Sequence, residues 1–115
     1  MTPTGPIVIV GFMGCGKTEV ARKLALRLNL RMIDLDHEIT RREGRTAAQL
    51  IVAEGEPAFR KIETDTLRDV LEARIAIVAL GGGAWITEAN RKLVDDHDGL
   101  SVWLDAPFEL CWQRI

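Results

Sequence analysis

The chain has 115 residues, with 15 Lys plus Arg against 17 Asp plus Glu for a formal net charge of −2, and it is 47% hydrophobic and 28% charged. That is one domain's length with ordinary globular composition, which excludes disorder, collagen and low complexity, while the mild acidity excludes an overall basic footprint for nucleic acid. No apolar run approaches the roughly 18 residues of a membrane span. Met1 to Pro6 lacks the basic start of a secretory leader, and Cys15 and Cys111 make no disulfide framework, so the expected setting is a reducing cytosol.

The first apolar run, Ile7-Val8-Ile9-Val10, has no polar alternation and predicts a parallel strand buried on both faces. Glycines punctuate residues 11–16. From Lys17 the period becomes helical, with Val20, Ala21, Leu24, Ala25 and Leu28 on one face. A second strand is expected over Arg31–Leu35, followed by a helix from Asp36 to about Arg42 that Gly44 ends. A short helix follows over Ala47–Ala53, closed by Gly55. Glu56–Ala73 predicts a longer helix with Phe59, Ile62, Thr66, Leu67, Val70 and Leu71 along one stripe. Ile75–Leu80 reads as a third buried strand that Gly81-Gly82-Gly83 ends abruptly. A helix over Thr87–Val94 then leads to a fourth strand, Leu100–Leu104, closed by Asp105, and Pro107 opens a last helix. Phe108 to Ile115 is helical in character without a Gly or Pro stop, so it reads as a segment cut short. Strands alternating with helices imply an α/β fold with a mostly parallel sheet, in which ligands bind beyond the carboxyl ends of the strands. Gly11–Lys17, Asp34–Asp36 and Gly81–Gly83 all fall at such ends.

Gly11-Phe12-Met13-Gly14-Cys15-Gly16-Lys17-Thr18 matches the phosphate-loop pattern G-x-x-x-x-G-K-[ST], between a strand and a helix as that motif requires. Its glycines let backbone N–H groups turn towards phosphate oxygens, Lys17 reaches the β- and γ-phosphates, and the Thr18 hydroxyl suits Mg²⁺. Asp34 and Asp36 lie at the next strand exit. One suits Mg²⁺ through water and the other an acceptor hydroxyl, unless Asp36 simply caps the following helix. Arg60 and Glu63 share a helix face. They form either a fixed guanidinium fork for a substrate carboxylate or an exposed ion pair. Gly81-Gly82-Gly83 allows close approach of backbone to a ligand, or is a flexible turn. His37 and His97 share no cluster with cysteines and read as surface residues, and Asp95-Asp96-His97-Asp98 as a solvated loop.

The order and spacing of the phosphate loop, Asp34-Leu35-Asp36 with Ile39, Gly55-Glu56-Pro57-Ala58-Phe59-Arg60 with Glu63, and Leu80-Gly81-Gly82-Gly83-Ala84 resemble the shikimate kinase family over about Ile7 to Ile115. The resemblance implies a P-loop NTPase fold of the nucleoside-monophosphate-kinase-like type, a three-layer α/β/α arrangement with a parallel sheet flanked by helices. It also implies transfer of the ATP γ-phosphate to the 3-hydroxyl of shikimate, a step of aromatic amino-acid (chorismate) biosynthesis. By resemblance, Gly14, Cys15, Gly16, Lys17 and Thr18 bind ATP, Arg114 stacks on adenine, and Thr18 with Asp34 holds Mg²⁺. Asp36 binds the acceptor hydroxyl and serves as base, Lys17 is the other catalytic residue, and Arg60 with Gly81, Gly82 and Gly83 forms the acceptor pocket. Residues 1–115 are then a single kinase domain that stops before the family's lid, residues 33–61 are its shikimate-binding segment, and the expected state is a cytoplasmic monomer. A gluconate-kinase-like enzyme of the same fold, or a catalytically silent nucleotide-binding module, are the rival readings.

Overall fold

The computed structural model describes residues 5–11 and 16–104. Four strands, β1 (Ile7–Gly11), β2 (Met32–Asp34), β3 (Ile77–Gly81) and β4 (Leu100–Leu104), alternate with six helices. The helices are α1 (Lys17–Leu28), α2 (Leu35–Glu43), α3 (Ala47–Glu54), α4 (Glu56–Glu72), α5 (Gly82–Ile86) and α6 (Glu88–Asp96). The sheet order is β2-β3-β1-β4 with every pairing parallel, and Gly11 stands beside both Gly81 and Leu104. Parallel pairing with right-handed crossovers brings all the strand carboxyl ends to one rim.

The buried strands separate two cores. Val8, Val10, Val78 and Leu80 face Leu35 and Ile39 of α2, Leu50 of α3, Phe59, Leu67, Val70 and Leu71 of α4, Ala84 of α5 and Val94 of α6. Ile7, Ile9, Ile77 and Ala79 face Ala21 and Ala25 of α1. Helices on both faces of a parallel sheet are the expected three-layer α/β/α arrangement.

Several boundaries differ from the sequence expectation. Leu35 belongs to α2 rather than to the second strand, because the Asp34 side chain accepts a hydrogen bond from the His37 backbone N–H and starts the helix at once. The cap is therefore Asp34, not Asp36. β3 begins at Ile77, two residues later than expected, and Ile75 instead closes the turn after α4 by donating to the Val70 carbonyl. The three glycines are not a flexible turn: Gly81 ends β3 and Gly82–Ile86 is helical. Asp95 and Asp96 form the last turn of α6 rather than a loop, and the half-buried His97 ring holds the Leu93 carbonyl at 2.8 Å. Leu28 is 48% exposed, because the α1 face that meets the sheet is narrow and built on Ala21 and Ala25. Thr46 and Gln49 make a reciprocal capping box that starts α3. Its T-x-x-Q spacing was readable in the sequence.

Leu67 is fully buried at the centre of α4, which carries Arg60. Leu67→Ala is expected to lower unfolding stability by about 2–5 kcal/mol, as cavities in packed cores do. The urea midpoint checks this; a loss under about 1 kcal/mol would mean that this core relaxes around the cavity.

Candidate active site

Three strand exits and one helix supply the rim. After β1, Gly16 precedes α1 with φ 85°, a left-handed conformation that glycine adopts without strain. It places Lys17 and Thr18 in the first turn of α1. After β2, Asp34 reaches two elements at once. Its Oδ2 accepts the Thr18 hydroxyl at 2.6 Å, and its Oδ1 accepts the His37 N–H at 3.2 Å. Asp36 follows in the first turn of α2, beside β3: a Cβ built on Gly81 would lie 3.8 Å from Asp36 Oδ2.

On α4, Phe59 is buried in the core and its ring lies under the Arg60 guanidinium, Cζ being 5.4 Å from the ring centre. Arg60 Nη1 donates to Glu63 Oε1 at 2.9 Å, and Nη2 stands 3.6 Å from Glu56 Oε1. Glu63 is only 3% exposed, so this is not the solvated i,i+3 pair that spacing alone allows. The pair is anchored from beneath, and the Arg60 side chain keeps a third of its surface open. Gly83 of α5 lies against that guanidinium: a Cβ there would meet Nη2 at 3.1 Å and Nη1 at 3.2 Å. A side chain there would push the fork by a few tenths of an ångström.

The electrostatics tie these groups together. The Asp36 carboxyl is raised above its ordinary range, first by burial and then by the Asp34 charge, against the opposing pull of Lys17 and Arg60. Asp36 presents an exposed surface overall, so the burial that matters is the crowding of its carboxylate by neighbouring protein atoms. Glu63 is also raised, first by burial; the Arg60 hydrogen bond and charge pull it down, and Asp36 pushes it up. Lys17, Asp34, Asp36, Arg60 and Glu63 thus share one field. Clustered carboxylates with raised pKa values beside fixed cations mark functional sites more often than structural ones.

Of the residues singled out from the sequence, the structure brings Lys17, Thr18, Asp34, Asp36, Arg60, Gly81 and Gly83 to one rim, with Gly16 and Gly82 adjoining them. Gly14, Cys15 and Arg114, with Asp105, Pro107, Cys111 and the last helical segment, lie outside the described residues. An open cleft of about 390 Å³ borders Thr18, Asp34 and His37. A larger cavity, about 620 Å³, lies at the amino ends of β1 and β3 beside Pro6, Ala76 and His97. None of the rim residues borders it, so the charged groups rather than the larger volume mark the candidate site. Among the described residues, no cluster of three or more His, Cys, Asp or Glu could hold a metal, and no helix is long and apolar enough to cross a membrane. Two elements escaped the sequence reading: helix α5 and the buried Asn90 behind it. Gly-Gly carries no helix signal, and an isolated Asn carries no burial signal.

A parallel sheet with a phosphate-loop strand and helix, and an acidic residue at the next strand exit holding the loop's threonine, defines a P-loop phosphotransferase fold. Within that class, the shikimate kinase family model matches residues 13–115, and the chain belongs to this family. The shikimate kinase of Cereibacter sphaeroides is 40% identical over 109 residues, which are 95% of this chain and 54% of that protein. That of Nitrosomonas europaea is 43% identical over 103 residues, 90% of this chain and 48% of that protein. The structure of Acinetobacter baumannii shikimate kinase in complex with shikimate superposes with a TM-score of 0.83 at 40% identity, over 96% of this chain and 61% of that one. A gluconokinase from Sinorhizobium meliloti superposes at 0.66 with 19% identity over 99% of this chain and 65% of that one, a likeness of fold alone. The chain spans about half the length of the curated relatives it matches.

The raised Glu63 carboxyl has a stability consequence. Its native pKa lies above the ordinary 4.5, so the native state binds this proton more tightly than the unfolded chain does. That contribution is complete below the ordinary value and is lost as pH rises through the raised one. Glu63→Gln does not titrate. Its melting temperature is therefore expected to gain on wild type as pH rises from 4 towards 7. Melting curves of the two proteins across that range check this; a difference that stays flat or falls would mean that Arg60 outweighs burial.

Proposed function

We propose that the polypeptide carrying this sequence transfers the γ-phosphate of ATP to the 3-hydroxyl of shikimate, giving shikimate 3-phosphate and ADP. The observation that carries this reading is the Arg60 fork. It is held by Glu63, faces Gly83, and stands in one electrostatic field with Asp36 and Lys17 on the rim that also bears the Thr18–Asp34 pair. Arg60 takes the acceptor carboxylate in a bidentate pair. Asp36 accepts the hydrogen bond, and then the proton, of the attacking hydroxyl; its raised pKa suits a base more than an ordinary carboxylate would. Lys17 neutralises charge that gathers on the transferring phosphoryl group. The backbone of Gly14, Cys15 and Gly16 cradles the phosphates, and Arg114 stacks on the adenine. The Gly81, Gly82 and Gly83 backbone lines the acceptor pocket, and residues 33–61 form the acceptor-binding segment.

Mg²⁺ is the ion this rim suits. One hydroxyl and one carboxylate, Thr18 Oγ1 and Asp34 Oδ2, converge beside an open cleft, and Mg²⁺ favours few protein oxygens completed by water and phosphate. Bound there, it would offset negative charge on the β- and γ-phosphates. The setting we propose is the cytoplasm, with the protein acting as a monomer.

The test is ADP release with MgATP, in the presence of shikimate, of gluconate, or of neither. Shikimate-dependent release supports the reading. Release with gluconate alone assigns the acceptor pocket to a sugar acid, and no acceptor-dependent release with either compound defeats the proposal.

Arg60 sharpens the assignment of substrate. Lysine is a point charge and cannot reproduce the fork. Arg60→Lys is expected to lower kcat/KM for shikimate by roughly 30- to 1,000-fold, about 2–4 kcal/mol, with affinity for MgATP nearly unchanged. Steady-state kinetics with each substrate varied in turn decides. Unaltered shikimate kinetics, or equal damage to MgATP binding, would reduce Arg60 to a helix-surface ion pair.

A further inference from the structure

Asn90 has no exposed surface, the deepest burial of any polar side chain among the described residues. It lies in the first turn of α6 and joins two other helices. Its Nδ2 donates to the Ala84 carbonyl of α5 at 2.8 Å, and its Oδ1 accepts the Thr64 hydroxyl of α4 at 2.7 Å. The Ala84 carbonyl can only accept, so the amide has one permitted orientation, and the Thr64 hydroxyl must be the donor to Oδ1.

The two anchor points adjoin the site. Thr64 follows Glu63 and lies one helical turn beyond Arg60, while Ala84 follows Gly83. The separation these anchors fix is tight: a Cβ on Gly83 would stand 3.1 Å from the Arg60 guanidinium, so a shift of a few tenths of an ångström between α4 and α5 changes what fits against the fork. α5 is short and begins with two glycines, so its own propensity does not hold it. We infer that Asn90 and Thr64 are positioning residues for the acceptor pocket: their hydrogen-bonded chain holds Gly83 on α5 at a set separation from the Arg60 guanidinium on α4. The inference rests on the reading of Arg60 as the acceptor clamp. An aliphatic residue of similar volume at position 90 would pack but not tie. Aspartate would set an acceptor against the Ala84 carbonyl, and serine would not span both partners.

Thr64→Val keeps the β-branched shape and removes only the hydroxyl, and Thr64→Ser restores it. On the polypeptide carrying this sequence, KM for shikimate is expected to rise about tenfold in Thr64→Val, with KM for MgATP within about twofold of wild type, and to return towards wild type in Thr64→Ser. A second readout needs no turnover. Trp85 of α5 packs edge-on against Trp103, ring centres 6.4 Å apart, so the near-ultraviolet circular dichroism of the free protein reports on the placement of α5. That spectrum is expected to change in Thr64→Val and to recover in Thr64→Ser. An unchanged spectrum, equal rises in both KM values, or a loss of thermal stability with shikimate kinetics intact overturns the inference. A wild-type protein without shikimate-dependent ADP release overturns the proposed function instead, and the spectra then decide on the positioning chain.

Discussion

The Asp34 carboxylate joins the two halves of the rim. One oxygen takes the Thr18 hydroxyl of α1 and the other takes the His37 N–H in the first turn of α2, so a single side chain ties α1 to α2. Those helices lie against opposite faces of the sheet, and Asp34 at the carboxyl end of β2 reaches both. The cap also dictates where Asp36 stands. Starting α2 at Leu35 sends Leu35 into the core, 1% exposed, and turns Asp36 outward in the first helical turn, beside Gly81.

The charge balance of the rim works against the stability of the fold. Asp36 and Glu63 both hold protons more tightly than free carboxylates, and in both burial is the larger cause. The cations moderate this without reversing it. Lys17 and Arg60 lower Asp36, and Arg60 lowers Glu63, yet the direction stays upward. Groups selected for stability alone would be apolar or fully paired at such positions. Strain of this kind is tolerated because the core beneath is continuous, from Val8 and Val10 through Leu80 to Phe59 and Leu67.

The sequence was legible where one physical signal dominated. Ile7–Val10 is an apolar run with no alternation, and it is the strand buried on both faces. The stripe from Phe59 to Leu71 has a helical period and faces the core as that period requires. Gly16-Lys17-Thr18 has a motif, a strand before it and a helix after it. Legibility ended where two signals competed. Both Asp34 and Asp36 suit a cap, and spacing does not choose between them; the Thr18 hydroxyl, sixteen residues away, does. Leu28 fits the helical period but falls beyond the width of the sheet contact. The i,i+3 spacing of Arg60 and Glu63 announces a pair but not its depth, which depends on helices far away in sequence. Gly82 and Gly83 carry the lowest helix propensity after proline, and the helix there is tied by the buried Asn90, which donates to the Ala84 carbonyl.

That last case bears on the glycine wall beside the Arg60 guanidinium. On the proposed reading of Arg60 as a carboxylate clamp, the fork must stay free and the opposite wall close. With a Cβ at position 83 the wall would press on both Nη atoms, and with a longer gap the enclosed space would admit water and weaken the charge pairing. Glycine allows the closest wall but gives it no rigidity of its own. The rigidity therefore comes from behind, through Ala84, Asn90 and Thr64. Backbone without side chains at the contact surface and a hydrogen-bonded polar chain behind it are two parts of one solution. Neither works alone: bare glycines would leave the wall undefined, and a side chain at position 83 would press on the Arg60 fork.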